Sequence, residues 1–298
     1  MAWLELSLTA PASRQAAIEA ALEDLGALSI TLADADADTP DERAIFEPGV
    51  GETPLWNEVV VQALFAADVD RAGLVHALAV LIPDIEPAQT AFREVADQDW
   101  TRTWLDTFKP MRFGQRLWIY PWNVQAPEDP ETIIVRLDPG LAFGSGTHPT
   151  TALCLEWLDG MDLAGKTVID YGCGSGILAI AALKLGAARA IGVDNDEQAI
   201  AASRDNAQRN DVAENLDLYL PPHFPPMQSD VIVANILAGA LAELAPVFAQ
   251  NLKSGGALAL SGILDGQQDE LLAHYSQWFD DLHATTRDGW VRIDGARR

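Results

Sequence analysis

Cysteine is nearly absent from this sequence. Its 298 residues include only Cys154 and Cys173, which form no CxxC pair and lack the spacing of a disulfide-stapled secreted domain. The N-terminal residues show no basic segment followed by a sustained apolar run, so a signal peptide is not expected. Both observations predict a protein of a reducing compartment, the cytoplasm.

Basic residues are also scarce. Lysine and arginine number 19 against 44 aspartates and glutamates, which gives a formal net charge of −25. Nucleic-acid backbones and anionic membrane surfaces bind basic faces, so direct binding to either is not expected. The charge is uneven, because residues 1–95 hold 17 acidic and 4 basic residues. This excess either keeps the protein soluble or docks a basic protein partner.

No apolar run is long enough to predict a membrane span. The best candidate, 231–249, is interrupted by Asn235, Glu243 and Pro246. It divides better into a strand followed by a helix. We therefore expect no membrane partner.

Length and hydrophobic periodicity predict two domains. In residues 1–95, strand-like and helical patterns follow each other in the order βαββαβ, which is typical of a smaller α+β domain of the ferredoxin-like type. Residues 96–110 then place Trp100, Trp104 and Phe108 on one helical face. This spacing predicts a linker helix that packs its aromatic side chains.

Residues 111–298 form the second predicted domain. Strands alternate with helices here, which predicts a parallel sheet covered on both faces, and the last two strands are expected to pair antiparallel. The most informative stretch is Thr167–Gly176, an apolar strand that leads into a glycine turn. A helix follows, and then a second strand that ends at Asp194. This arrangement holds an adenosine-bearing cofactor at the edge of an α/β sheet.

The glycine turn can bring bare backbone close to a ligand. Gly172 allows a tight turn and Gly174 admits the ligand, because neither carries a Cβ. Asp194 follows 22 residues after Gly172, close to where ribose hydroxyls are bound. Position 177 is isoleucine, where a dinucleotide fingerprint has its third glycine, and this disfavours an NAD-dependent dehydrogenase.

A second glycine pattern is misleading. Residues Gly160–Thr167 match the phosphate-loop pattern GxxxxGKT. A phosphate loop works between a strand and the N-terminus of a helix, where backbone amides face the phosphates. Here the predicted helix precedes the match and the predicted strand follows it, so we reject a phosphate site.

Several motifs resemble one enzyme family. The sequence DYGCGSG at 170–176 resembles the first motif of class I S-adenosylmethionine-dependent methyltransferases, with Asp194 as the acid of the second motif. Three further stretches, Phe143–Thr151, Asn235–Ala238 and Ser261–Leu264, are similar to the family of methyltransferases that modify ribosomal protein L11. The resemblance extends over nearly the whole chain.

This resemblance implies a Rossmann-like seven-stranded sheet, S-adenosyl-L-methionine as cofactor, and methyl transfer to lysine ε-amino and N-terminal α-amino groups of ribosomal protein L11. It implies that the acidic N-terminal domain recognises this basic substrate, free or on the ribosome. It also implies cofactor contacts at Thr151, Gly172, Asp194 and Asn235. The bare backbone of Gly174 adds a fifth expected contact, and Asn235 is the candidate catalytic residue.

The chemistry of these side chains agrees with the resemblance. Thr151 begins a helix beside the glycine turn, so its hydroxyl can meet the methionine end of the cofactor. Asp194 can accept hydrogen bonds from both ribose hydroxyls. Methyl transfer from a sulfonium requires an aligned, neutral amine rather than a metal or a nucleophilic side chain. The amide oxygen of Asn235 can accept N–H bonds and orient the amine. For His148 we expect a structural role.

Other interpretations stay open at this point. Asp194 and Asn235 could each cap a helix, although Asp196 is better placed to cap the helix that begins near Glu197. The nearest functional alternative is a class I methyltransferase that acts on a glutamine amide or on RNA. Such enzymes usually carry an Asn-Pro-Pro-aromatic motif where this chain has Asn235-Ile236-Leu237-Ala238. A non-catalytic ribosome-associated protein is a third possibility.

Overall fold

A computed structural model describes residues 3–37, 55–83, 90–95, 109–127, 129, 132–138 and 148–298. Residues 96–108 of the predicted linker helix, with its three aromatic residues, lie outside the described residues, as does the 143–147 part of the family motif. Contacts between Cα atoms divide the chain into two units, Met1–Trp100 and Thr101–Arg298. Within the described part of the chain, no helix combines the length and apolar character needed to cross a membrane.

The first unit contains a four-stranded sheet with two helices. Its elements are β1 (Trp3–Pro11), α1 (Gln15–Asp24), β2 (Ser29–Asp34), β3 (Glu58–Ala66), α2 (Arg71–Leu81) and β4 (Thr90–Val95). The strand order is β2-β3-β1-β4, and every neighbouring pair is antiparallel. This is the ferredoxin-like arrangement, so the prediction from the βαββαβ pattern is confirmed.

Alternation along the strands builds the core of this unit. Leu4, Leu6 and Leu8 of β1 are buried, while the residues between them are partly exposed. Because side chains of a strand point alternately to opposite faces, only one face of the sheet is covered. Helix α1 contributes Ile18 and α2 contributes Leu74 to the same core.

The second unit contains a seven-stranded sheet and a separate three-stranded sheet. Its elements are β5 (Met111–Phe113), β6 (Leu117–Pro121), β7 (Ile133–Leu137), α3 (Pro149–Asp159), β8 (Thr167–Tyr171), α4 (Ile177–Lys184), β9 (Arg189–Val193), α5 (Glu197–Arg209), β10 (Leu216–Tyr219), β11 (Ser229–Asn235), α6 (Ala238–Asn251), β12 (Leu252–Leu264), α7 (Gln268–Tyr275), β13 (Phe279–Arg287) and β14 (Trp290–Arg297).

The large sheet has the order β10-β9-β8-β11-β12-β14-β13. The first five strands run parallel, whereas β14 is antiparallel to both of its neighbours. The antiparallel pairing predicted for the last two strands is therefore confirmed. From β8 the chain moves outward through β9 and β10 and then returns to β11 on the other side of β8. Such a reversal opens a crevice at the carboxyl ends of the strands, where α/β proteins bind ligands.

The two faces of this sheet bury different residues. Val168 of β8 and Val231 and Val233 of β11 pack with α3 and α4. Ile169 and Ile232, one position on in each strand, pack with α6 and α7. Helix α4 is apolar on all sides and buried throughout Ile177–Leu183, as expected for a helix enclosed in the interior.

The small sheet was not predicted. Its order is β5-β6-β7, with β5 antiparallel and β7 parallel to the central β6. The alternation of strands and helices predicted a parallel sheet for this domain, but it gave no sign of a second, separate sheet. Local patterns identify strands, whereas the choice of pairing partner depends on contacts that are distant in sequence.

Candidate active site

A cleft of about 770 Å³ lies at the switch point of the large sheet. The strands β9, β8 and β11 bring Asp194, Gly172 and Asn235 to it in that spatial order. Most of the lining is apolar, with a few convergent polar groups, as is usual for small-molecule sites. Its walls include His148, Thr150, Tyr171, Gly174, Val193, Asn195, Pro221, Ile236, Leu237, Ala240, Glu243, Leu244, Gly262 and Trp290.

The glycine turn presents bare backbone to this cleft. Gly172, Gly174 and Gly176 have φ angles of 81°, 53° and 79°, a left-handed conformation that favours glycine. A Cβ built on Gly172 would lie only 2.1 Å from Cγ2 of Ile236. Glycine is therefore required at position 172 both for backbone conformation and for space.

Asp194 is held by the backbone around it. Its Oδ2 accepts the Gly174 N–H at 2.8 Å and its Oδ1 accepts the Asp196 N–H at 3.0 Å. A carboxylate offers about four acceptor positions, so two hydroxyl groups of a ligand can still be accommodated. Asp196, rather than Asp194, caps helix α5 by accepting the Gln198 N–H at 2.8 Å. The capping interpretation of Asp194 is therefore wrong.

Asn235 and Thr151, 84 residues apart, meet at the cleft. The Nδ2 group of Asn235 donates a hydrogen bond to Oγ1 of Thr151 at 3.1 Å. Because the amide nitrogen is engaged in this way, the amide oxygen is the atom that can accept an N–H from an incoming amine. Helix α6 begins at Ala238 with Leu237 as its N-cap residue, so the capping interpretation of Asn235 is also wrong.

The five residues expected at the site therefore occupy two layers. Gly172, Gly174, Asp194 and Asn235 line the cleft directly. The side chain of Thr151 is buried, with the residue only 1% exposed, and its hydroxyl lies against Asn235. The tertiary structure brings all five together.

Asp170 is a buried carboxyl group to which sequence reasoning gave no individual role. It is 0% exposed, and its Oδ2 accepts the Ala179 N–H at 3.0 Å, which ties the end of β8 to the first turn of α4. Burial raises the pKa of Asp170 to about 7; the hydrogen bond from Ala179 opposes this rise, and the nearby Asp194 carboxylate adds to it. The sequence signal that could have identified Asp170 was a single acidic residue in an otherwise apolar strand.

His148 and Trp290 were not predicted as site residues, yet both line the cleft. His148 caps helix α3: its Nδ1 accepts the Thr150 N–H at 3.4 Å and lies 2.7 Å from Oγ1 of Thr150. This is the structural role expected for it, and burial lowers its pKa. The rings of His148 and Trp290 meet edge to face, with centroids 4.6 Å apart. No local pattern marks Trp290, which becomes a site residue only because β14 is antiparallel.

The two cysteines are buried free thiols. Burial raises the pKa of Cys154 to about 12 and raises that of Cys173 as well. Cys173 lies in the glycine turn, but a protonated thiol is a poor nucleophile. Neither cysteine is among the residues that line the cleft, so neither is a candidate nucleophile there.

The structure also confirms the predicted position of the rejected phosphate-loop match, Gly160–Thr167, after a helix and before a strand. Helix α3 ends at Asp159 and strand β8 begins at Thr167, so Gly160–Lys166 connects a helix to a strand. No helix N-terminus is available at this turn to face a phosphate group.

Fold and site together define a class I methyltransferase. The sheet has the Rossmann-like seven-stranded form implied by the sequence motifs, and its cleft combines a glycine turn with an acid at the end of the neighbouring strand. The family model described as ribosomal protein L11 methyltransferase (PrmA) matches residues 2–298. The chain therefore belongs to the ribosomal protein L11 methyltransferase family, and the predicted family and fold are confirmed.

Individual relatives agree with this assignment. The chain is 55% identical to the ribosomal protein L11 methyltransferase of Stenotrophomonas maltophilia (strain K279a) and 54% identical to that of Xylella fastidiosa (strain 9a5c), each over the full length of both chains. It also resembles the crystal structure of a ribosomal protein L11 methylase from Lactobacillus delbrueckii subsp. bulgaricus. That match has 32% identity and a TM-score of 0.59, and it covers 64% of this chain and all of the other.

Proposed function

We propose that this protein transfers methyl groups from S-adenosyl-L-methionine to lysine ε-amino and N-terminal α-amino groups of ribosomal protein L11. Membership of the family supports the substrate, since the relatives carry that name. The observation that carries the chemistry is the cleft in which an acceptor amide, Asn235, stands beside a turn of bare backbone at Gly172.

The residues of the cleft fit this cofactor from one end to the other. Asp194 would accept the two ribose hydroxyls with the acceptor positions that its backbone contacts leave open. Gly172 and Gly174 line the cleft and would let the cofactor pass against the backbone, because neither carries a side chain. Asn235 would hold the end that carries the reactive methyl group, and Thr151, which does not line the cleft itself, would position Asn235 through the hydrogen bond from its Nδ2 group.

The protein contributes alignment and a dry environment to the reaction. The sulfonium of the cofactor supplies an already activated methyl group, so the amine must be neutral and correctly oriented. A lysine amine has a pKa of about 10.4 in water, and burial in a closed site lowers it. The amide oxygen of Asn235 would accept an N–H from this amine and direct its lone pair at the methyl group. After transfer, the amine loses its proton to solvent.

The first unit is proposed as the recognition module for the protein substrate. Residues 1–95 are about a third of the chain but, with 17 acidic and 4 basic residues, hold more than half of its net negative charge of −25. A basic ribosomal protein would be attracted to them. We also propose that the enzyme binds L11 either as the free protein or on the ribosome. In this proposal the enzyme makes no direct contact with nucleic acid and acts in the cytoplasm. The buried, unpaired cysteines are consistent with a reducing compartment.

A labelling experiment tests the proposed reaction. The full-length protein is incubated with radiolabelled S-adenosylmethionine and ribosomes from cells that lack this activity, and protein and RNA fractions are separated. We expect label in the L11 band, and mass spectrometry should place it on amino groups. The Asn235→Ala variant should bind cofactor more weakly and, at saturating cofactor, should still transfer far less label. Label in RNA, or in a different ribosomal protein, would overturn the proposal.

A further inference from the structure

Helix α5 buries polar side chains on one face. Ser203, Asn206 and Asn210 are 0%, 1% and 3% exposed, and their spacing of three and four residues places them on the same side of the helix. The buried side of a helix in a globular protein is usually apolar, and a buried polar group is costly unless it is hydrogen-bonded. The partners of these side chains therefore indicate what the helix holds in place.

Two of the three side chains bind the backbone of the glycine turn. Ser203 donates its hydroxyl hydrogen to the carbonyl oxygen of Gly174 at 2.8 Å. Asn206 donates from Nδ2 to the next carbonyl oxygen, that of Ser175, at 3.0 Å. The helix also lies close against the turn, because a Cβ built on Gly176 would be only 2.9 Å from Oγ of Ser203. Neither Ser203 nor Asn206 lines the cleft, so they hold the turn from behind.

Gly174 connects this helix to Asp194. The carbonyl of Gly174 accepts the hydrogen bond from Ser203, whereas its N–H donates to Oδ2 of Asp194 at 2.8 Å. Gly174 has a left-handed φ of 53°, and glycine has the freest backbone of all residues. Hydrogen bonds on both sides of Gly174 therefore fix a residue that would otherwise sample other conformations, and with it the orientation of the Asp194 carboxylate.

Asn210 lies on the same face but does not reach the turn. Its Oδ1 accepts the Arg136 N–H at 2.7 Å, and its Nδ2 donates to the carbonyl oxygens of Arg136 at 2.7 Å and Asn206 at 2.8 Å. Asn206 also binds this part of the chain, because its Oδ1 accepts the N–H of Asp138, which follows β7, at 3.1 Å. Both asparagines thus tie α5 to the β7 segment, and only Nδ2 of Asn206 ties it to the turn.

We propose that Ser203 and Asn206 are positioning residues for the cofactor. They preorganise the glycine turn, and through Gly174 they orient Asp194 toward the ribose hydroxyls. A preorganised site binds more tightly because less conformational freedom is lost on binding. This inference rests on the proposed function, because it requires the proposed contact between Asp194 and the ribose.

Ser203→Ala and Asn206→Asp each remove one hydrogen bond to the turn. The first deletes a hydroxyl group, and the second replaces the donor Nδ2 by an oxygen while an acceptor for the Asp138 N–H remains. Calorimetry on the full-length variants should show that Kd for S-adenosylmethionine rises about three- to tenfold in each, the range for one hydrogen bond. At saturating S-adenosylmethionine, kcat for L11 should stay close to the wild-type value, because Asn235 rather than the turn orients the amine.

Asn210→Asp is the matched control. It makes the same exchange of nitrogen for oxygen on the same buried face, but the hydrogen bonds that it removes do not go to the glycine turn. Its denaturation midpoint in urea should fall, whereas its Kd for S-adenosylmethionine should equal that of the wild type. Ser203→Ala, which deletes only one oxygen atom, provides the test if Asn206→Asp does not fold.

A double-mutant cycle shows whether the effect passes through Asp194. Once Asp194→Ala has removed the carboxylate that Gly174 orients, adding Ser203→Ala should raise Kd by less than about twofold. A residue that merely stabilises the fold would not be coupled to Asp194 in this way.

Three results overturn the inference. They are an unchanged Kd in Ser203→Ala or in Asn206→Asp, an equal rise of Kd in Asn210→Asp, and a full additional rise when Ser203→Ala is combined with Asp194→Ala. If the wild type does not bind S-adenosylmethionine, or if Asp194→Ala binds it as tightly as the wild type, the proposed cofactor site itself fails, and the inference fails with it.

Discussion

Individual side chains at the cleft are defined by what they contact rather than by their type. Asp194 and Asp196 are two residues apart and are both acids, yet only Asp194 lines the cleft and only Asp196 caps a helix. Likewise, the adjacent Thr150 and Thr151 contact His148 and Asn235 respectively. The function of each residue therefore follows from the neighbour that the fold provides.

For Asp194 we predict a defined loss of cofactor affinity. Asp194→Ala removes the proposed acceptor for the ribose hydroxyls, and hydrogen bonds to a charged group typically contribute about 1.5–3 kcal/mol. The dissociation constant for S-adenosylmethionine, measured by calorimetry, should rise by about one to two powers of ten.

The neighbouring acid provides a matched control. Asp196→Ala removes the cap of α5 and should lower the free energy of unfolding by about 1 kcal/mol while cofactor affinity is nearly retained. Equal affinities of the Asp194→Ala variant and the wild type would refute the ribose assignment.

For Asp170 we predict an effect of pH on stability. An aspartate in the unfolded chain has a pKa of about 3.9, whereas burial raises the pKa in the folded protein to about 7. Between these values the folded state binds more protons than the unfolded state, so the stability of the wild type falls as pH rises. Asp170→Asn does not titrate, and its amide oxygen can still accept the Ala179 N–H.

Urea unfolding of the cofactor-free protein from pH 4 to pH 8 measures this difference. The stability of Asp170→Asn relative to the wild type should increase with pH up to pH 7, by as much as about 4 kcal/mol, and should stay constant above it. Parallel stability curves for the two proteins would show that Asp170 keeps an ordinary pKa when folded.

At the level of elements, the turn between β8 and α4 connects sequence to site most directly. A strand, a glycine turn and a buried helix were all predicted from residues 167–183, and all three are present. The turn works because left-handed φ angles and contact with Ile236 exclude every side chain at Gly172.

Two glycine substitutions separate the cost of the left-handed backbone conformation from the cost of a steric collision. Gly165 and Gly172 have similar φ angles of 71° and 81°, but a Cβ at Gly165 would meet nothing within 4 Å. Gly165→Ala should therefore cost only the left-handed conformation, about 1–2 kcal/mol. Gly172→Ala adds the collision with Ile236, so it should cost more and should also weaken cofactor binding. Denaturation midpoints and calorimetry measure both effects, and equal losses in the two variants would contradict this account.

At the level of the whole molecule, the chain has two units with separate hydrophobic cores. The core of the first unit consists of residues between Leu6 and Ile82, and the cores of the second consist of residues from Phe113 onward. Each unit therefore has a hydrophobic core of its own among the described residues, as the predicted division into two domains requires.

Deletion of residues 1–95 tests the division of labour between the units. Because every described residue that lines the cleft falls within 148–290, the shortened protein should bind S-adenosylmethionine with nearly unchanged affinity. We expect it to lose methyl transfer to L11, since the acidic recognition surface is absent. Calorimetry and the labelling assay measure the two activities separately, and retained turnover would show that substrate recognition resides in the second unit.

The sequence by itself determined the family, both fold types, and the glycine turn and acid that line part of the cleft. Hydrophobic periodicity reports which face of an element is buried, and the glycine and acid motifs report a site whose parts lie close together in sequence. Tertiary structure decided the rest. It placed Thr151 behind Asn235, buried Asp170 beside Asp194, and set β5–β7 apart as a separate sheet.

Trp290 shows the physical reason for this difference. In sequence it is an ordinary aromatic residue at the start of a strand. It reaches the cleft because β14 inserts antiparallel between β12 and β13, and strand order is set by the packing of the whole sheet rather than by local preference. The glycine turn and Asp194 can be identified from the sequence, whereas the place of Trp290 at the cleft can be identified only from the fold.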